Sequence, residues 1–317
     1  MKTAPREDGF IPILLSAICA AGVLIISLID KFIFPFKNEL LSPLVSQIVI
    51  LLIPAYVFIS LSSTNRDMGS QLRENGIRPL RTKYVFFVIF SILFAVASSL
   101  ILNMIFGGFY STSKGFSLLG SFVAGENEFS SSPLYLAVVY ALIPAFVEEL
   151  VFRGFIFNRL KSVSLPIAAL LSSLLYALFL FKPLQIPAAF FGGLIMAFVF
   201  ITTNSLLSSM IVHFLYNLFA IFWQTNFSQY FITTHKKHLP VVLVIAAWLL
   251  AALLFTTEAA KIYKEKADND SKTDLTKASR PLFFGLWQDI KALFKFKPTA
   301  IASTVLVAIY IVVSIIA

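Results

Sequence analysis

Residues 133–157 read PLYLAVVYALIPAFVEELVFRGFIF, a run in which charge appears only at Glu148, Glu149 and Arg153. A helix needs about 20 predominantly apolar residues to cross the hydrocarbon layer of a bilayer. The stretch therefore predicts a transmembrane helix from Pro133 to about Phe157, with three ionisable side chains inside it. Charge at that depth costs about 2.5–3.5 kcal/mol per residue on insertion scales and marks a functional site by default.

The rest of the chain agrees with a membrane solvent. Of 317 residues, 58% are hydrophobic and 13% charged, about half the charge of a soluble domain. Long apolar runs without alternation exclude an outer-membrane barrel, and 34 Phe with 10 Tyr exclude disorder. A lone cysteine, Cys19, excludes a disulfide framework and a thiolate metal cluster. Lying inside the first apolar run after Ile18, it reads as a packing residue.

These runs predict an all-α polytopic bundle of eight core spans and a ninth C-terminal one. They are Ile11–Ile29, Pro43–Leu61, Tyr84–Phe106, Pro133–Phe157, Leu165–Phe181, Ile186–Thr202, Ser205–Trp223 and Pro240–Phe255, then Thr299–Ala317. The first has a basic flank (Lys2, Arg6) like a signal peptide but is longer than a typical signal core, and is kept as a span. Alternating the loops puts eighteen of the 25 Lys and Arg on one side and six on the other, with Arg153 inside a span. That asymmetry predicts a multi-pass cell-membrane protein with a cytoplasmic N-terminus, and it accounts for the net charge of +9 without nucleic acid.

The organisation that follows is 1–132 as N-terminal helices and loops, 133–223 as the core carrying the charged motifs, and 224–255 as the eighth span. Residues 256–298 form a cytoplasmic linker and 299–317 the last span. Within the linker, KIYKEKADNDSKTDLTKASR (261–280) reads as a solvated segment. PLFFGLWQDIKALFKFK (281–297) sets Phe283, Leu286, Trp287, Ile290, Leu293 and Phe294 at helical spacing. Two readings stand for it: a helix on the cytoplasmic leaflet, or one packed against its own protein. No internal repeat of the transporter kind is visible.

A second polar group lies in the seventh span, SLLSSMIVHFLYNLF (205–219), at His213 and Asn217. Four-residue spacing puts Glu149 face to face with Arg153, leaves Glu148 turned by about 100° without a local partner, and points His213 and Asn217 the same way. At about 1.5 Å per residue from the cytoplasmic helix ends, Glu148 and Asn217 lie roughly 18 Å deep and His213 roughly 12 Å, so they can meet in one cavity. A desolvated carboxylate beside a second one suits a general base, and His and Asn suit a developing oxyanion. Pro144, four residues before Glu148, should kink the helix at the site. The architectural alternative is an ion pair and a His–Asn pair that merely join helices. His235 and His238 in THKKHLP read as solvated loop residues, and Gly192 and Gly193 as sites of close helix packing.

EELVFRG (148–154) resembles the EExxxR motif of the CAAX protease and bacteriocin-processing (CPBP, or ABI) family of intramembrane proteases, and HFLYN (213–217) its HxxxN motif. The resemblance covers roughly Pro133 to Trp223. It implies an endopeptidase in which Glu148 activates water, Glu149 assists while held by Arg153, and His213 with Asn217 stabilises the carbonyl oxygen. The substrate it implies is a membrane-associated protein or peptide, prenylated CAAX proteins in the eukaryotic branch. Where the family has FxxxH, the matching stretch SSLLYALFLFKPLQ (172–185) has Tyr176 for Phe and Leu180 for His. Zinc, which the resemblance allows, would lack a ligand there. A catalytically impaired binding, immunity or scaffold protein is the alternative that Leu180 suggests.

Overall fold

A computed structural model describes residues 5–32, 45–62, 68–107, 132–181, 183–226, 238–270 and 285–316, and among them every regular element is helical. In chain order these are α1 (Pro5–Phe32), α2 (45–62), the short α3 (Met68–Glu74), α4 (Val85–Gly107), α5 (Pro133–Leu160) and α6 (Leu165–Phe179). They continue as α7 (Ile186–Thr203), α8 (Leu206–Asn226), α9 (His238–Asp270), α10 (Leu286–Phe294) and α11 (Lys297–Ile316).

Each of the nine apolar segments read from the sequence coincides with one of these helices, and six are long and apolar enough to cross a bilayer. The chain is a multi-pass membrane protein. Its outer belt is apolar, with Leu249, Leu250 and Leu253 of α9 and Ile301, Ile311 and Ile315 of α11 all exposed, as lipid contact requires. The fifth segment is shorter than expected: α6 covers 15 residues, roughly 22 Å. Ser164 caps its start by accepting from the Ile167 N–H, and Phe181, at φ +52°, turns the chain out of the helix at its end.

Helix directions agree with the span count. Phe10 meets Phe296 near the starts of α1 and α11, and further along Ser16 and Cys19 share a cleft with Leu306 and Tyr310. These two helices run parallel, as the first and last of any odd number of crossings would. Lys83 before α4 instead meets Glu265 late in α9, while Phe94 meets Trp248 early in it, so that pair is antiparallel.

Two departures from the sequence reading occur in the linker. The helix α9 does not stop at Phe255 but continues to Asp270, where a solvated segment is expected. Phe255, Ala259 and Ile262 keep a buried stripe at helical spacing through this stretch. Lys266 Nζ donates to the Thr202 carbonyl at the end of α7 (2.7 Å), and Glu265 pairs with Lys83 (2.8 Å). The linker residues 271–284, with Phe283, lie outside the described residues. In α10 one face packs against the protein itself, and the opposite face is open. Leu293 is buried beside Ile13 and Ala302, whereas Trp287 and Phe294 are exposed.

The start of α8, which sets the height of His213, is fixed from α3–α4. The Leu206 N–H donates to the Gly76 carbonyl (2.8 Å), and Ser205 Oγ donates to the Arg78 carbonyl (2.5 Å). Gly76 adopts φ +88°, and a Cβ there would sit 2.6 Å from the Phe200 ring; only glycine meets both demands.

Candidate active site

The helix α5 is not uniform. Its turns widen over Ala137–Leu142 and Leu150–Phe157, flanking an ordinary stretch, Ile143–Glu149. Proline at 144 has no N–H to donate back, and just before it the Ile143 N–H reaches the Val138 carbonyl, five residues away. Wide turns of this kind are common at functional sites. Here they bracket Glu148 and Glu149, both buried at the centre of the bundle.

Four helices bring their polar side chains together at this point. Arg153 Nη1 donates to Glu149 Oε1 at 2.9 Å and Arg153 Nη2 to the Gly193 carbonyl of α7 at 3.1 Å. From α8, His213 Nδ1 lies 3.0 Å from the same Glu149 oxygen, while its Nε2 lies 3.7 Å from Glu148 Oε2. From α6, the Tyr176 hydroxyl lies 3.5 Å from Nε2, and the Arg153 guanidinium sits over the Tyr176 ring, 4.8 Å from its centre. Glu148, Glu149, Arg153 and His213 are all buried to 1% exposure or less. Two carboxylates and one guanidinium leave one negative charge, which a single proton on His213 would balance.

Glu148, Glu149, Arg153 and His213 thus meet as the motif spacing expects. Asn217 does not join them: it lies one turn further along α8, half-buried, and no hydrogen bond links it to the cluster among the described residues. Leu180 follows the last residue of α6 and is buried. The polar group that α6 turns towards His213 is the Tyr176 hydroxyl, one turn earlier. The two glycines of α7 differ. A Cβ on Gly193 would meet Ser173 Cβ at 3.0 Å and Arg153 Nη2 at 3.1 Å, whereas Gly192 faces open space.

One participant was not singled out from the sequence. Gln47 of α2, fully buried, donates from Nε2 to Glu148 Oε1 at 2.7 Å. Glu148, without a local partner on its own helix, finds one 101 positions away. The signal was a lone amide in an otherwise apolar span, SQIVILL (46–52).

Residues 130–219 match the family model Rce1-like, type II CAAX prenyl endopeptidase Rce1-like. Over this segment, 90 of the 317 residues, the chain is similar to the CAAX protease family. The match covers α5 to α8 up to Phe219, the helices that carry both motifs, and supports a peptidase role in general. No curated protein and no solved structure matches the chain.

The donor set can be tested against the zinc that the family resemblance allows. Catalytic zinc takes three protein ligands. The cluster offers one His and two Glu, and Glu149 Oε1 already receives both the Arg153 cation and His213 Nδ1. Among the described residues, no three His, Cys, Asp or Glu side chains are arranged to hold a metal ion. The residues present do not fit zinc.

Beside the cluster, a narrow apolar cleft of about 10 Å³ lies between α1, α2, α5, α6 and α11, lined by Leu15, Cys19, Leu51, Phe152, Phe179 and Leu306 among others. Phe152 packs edge-on against Tyr176, with centroids 5.5 Å apart, and Tyr176 does the same against His213 at 5.7 Å. Two aromatic rings, Phe152 and Tyr176, therefore link the cleft to His213.

Proposed function

We propose that this chain is an intramembrane endopeptidase of the CAAX type that hydrolyses a peptide bond of a membrane-associated protein or peptide with water activated by Glu148. The observation that carries the reading is the buried pairing of Glu148 with His213, at 3.7 Å between Oε2 and Nε2. Glu148 takes a proton from water as the oxygen adds to the scissile carbonyl carbon. It then delivers that proton to the leaving amine as the C–N bond breaks. His213, held through Nδ1 by Glu149, carries a proton on Nε2 and donates it as a hydrogen bond to the developing oxyanion, with the Tyr176 hydroxyl beside it. Arg153 keeps Glu149 ionised and fixed, so that the imidazole is aimed before substrate arrives.

The apolar lining of the narrow cleft supports a hydrophobic segment or chain next to the cleaved bond, which would have to widen it on binding. The excess of Lys and Arg on one side supports a cytoplasmic N-terminus in a cell-membrane protein. A base and a histidine assembled in one buried cluster speak for a working protease over the non-catalytic alternative. The test is cleavage of a farnesylated peptide ending in Cys-aliphatic-aliphatic-X by the purified chain in lipid nanodiscs. Glu148→Gln is expected to lower kcat at least about a thousandfold; parental turnover by this variant would overturn the reading.

A further inference from the structure

A glutamine inside a membrane span finds no partner in hydrocarbon, so its amide must be met by protein. Gln47 is fully buried, and its Nε2 donates to Glu148 Oε1 at 2.7 Å. It comes from α2, outside the segment that matches the family. The widened turn Val45–Leu52 that carries it packs directly against the Ile143–Glu149 stretch of α5. The second half of its amide, Oε1, is buried and has no hydrogen-bond partner. Burying an unmet acceptor is unfavourable, and a bound donor removes that cost.

We propose that Gln47 is the positioning residue for Glu148: its amide N–H pins Oε1 of the carboxylate, directs Oε2 towards His213, and leaves its own Oε1 to accept from the attacking water. The inference rests on Glu148 being the base. A base that abstracts a proton needs one oxygen free and its plane fixed, and an anchored partner oxygen supplies both. Among the described residues no hydrogen bond runs from an α5 side chain to the Glu148 carboxylate, and the two Nη atoms of Arg153 go to Glu149 and the Gly193 carbonyl. The charged and titratable groups around Glu148 are Glu149 and Arg153 on its own helix, His213 on α8 and Tyr176 on α6, and none changes in the variants below.

The test uses the full chain in lipid nanodiscs with two readouts. Dicyclohexylcarbodiimide, which attacks protonated carboxyls in apolar surroundings, reports on Glu148 by mass spectrometry without any substrate. Cleavage of the farnesylated CAAX-type peptide reports on turnover. Gln47→Leu and Gln47→Met keep the bulk and apolar fit while removing the donor. Both are expected to label at Glu148 about fivefold faster than the parent, the weight of one lost hydrogen bond, and to lose about tenfold in kcat at unchanged KM. Labelling of Glu148 at the parental rate in both variants would overturn the proposal, even where Glu148→Gln is inactive. Faster labelling together with full turnover by Glu148→Gln would instead overturn the reading of Glu148 as base.

Discussion

His213 Nδ1 lies 3.0 Å from Glu149 Oε1, the same oxygen that receives Arg153 Nη1 at 2.9 Å. One carboxylate oxygen therefore holds both the imidazole and the guanidinium in a site with no exposure to solvent. Removing Arg153 strands a buried negative charge, which costs about 3–5 kcal/mol. Arg153→Leu, which leaves two buried carboxylates beside one imidazole, is expected to lower the thermal midpoint in nanodiscs below that of Glu149→Gln, in which Glu148 still offsets the buried guanidinium. Equal midpoints for the two variants would contradict the shared-oxygen arrangement.

The Tyr176 hydroxyl should matter for turnover and not for folding. Tyr176→Phe keeps the ring under Arg153 and against Phe152 and removes one oxygen that sits 3.5 Å from His213 Nε2. Loss of one donor near an oxyanion is expected to lower kcat roughly tenfold to a hundredfold with an unchanged thermal midpoint. A parental kcat would remove Tyr176 from the chemistry.

The paired glycines of α7 offer an internal control. Gly193→Ala places a methyl against Ser173 and the Arg153 guanidinium, whereas Gly192→Ala enters open space. The first should cost about 1–3 kcal/mol by overpacking and reduce activity with it; the second should be near neutral. Parallel thermal unfolding and cleavage assays separate them.

Gly76→Ala is expected to destabilise by more than about 1 kcal/mol, because alanine resists φ +88° and its Cβ meets the Phe200 ring. The Gly76 carbonyl holds the first turn of α8, so a fall in kcat should accompany the fall in thermal midpoint.

Filling the cleft should affect binding before chemistry. Ala20→Phe adds a ring among Leu15, Leu51 and Leu306, and a several-fold rise in KM for the lipidated peptide at unchanged kcat is the expected outcome. An unchanged KM would detach the cleft from substrate recognition.

The helical, membrane-spanning character of this chain was determined by its sequence alone, because apolar runs long enough to cross a bilayer have no alternative to helix there. The Glu149–Arg153 contact was legible too, since four residues on one helix bring two side chains together regardless of the surroundings. Helical spacing also put His213 and Asn217 on one side of α8, and of the two His213 is the one with hydrogen-bond distances to the cluster among the described residues. It stopped α9 at Phe255, since a polar segment conceals a buried stripe that only α4 and α7 complete. Gln47 and the Tyr176 hydroxyl were beyond it for a different reason. Each acts on a partner contributed by another helix, 101 and 37 positions away, and no local periodicity encodes which helices lie side by side. Packing decided that, and with it which oxygen of Glu148 is held and which is free.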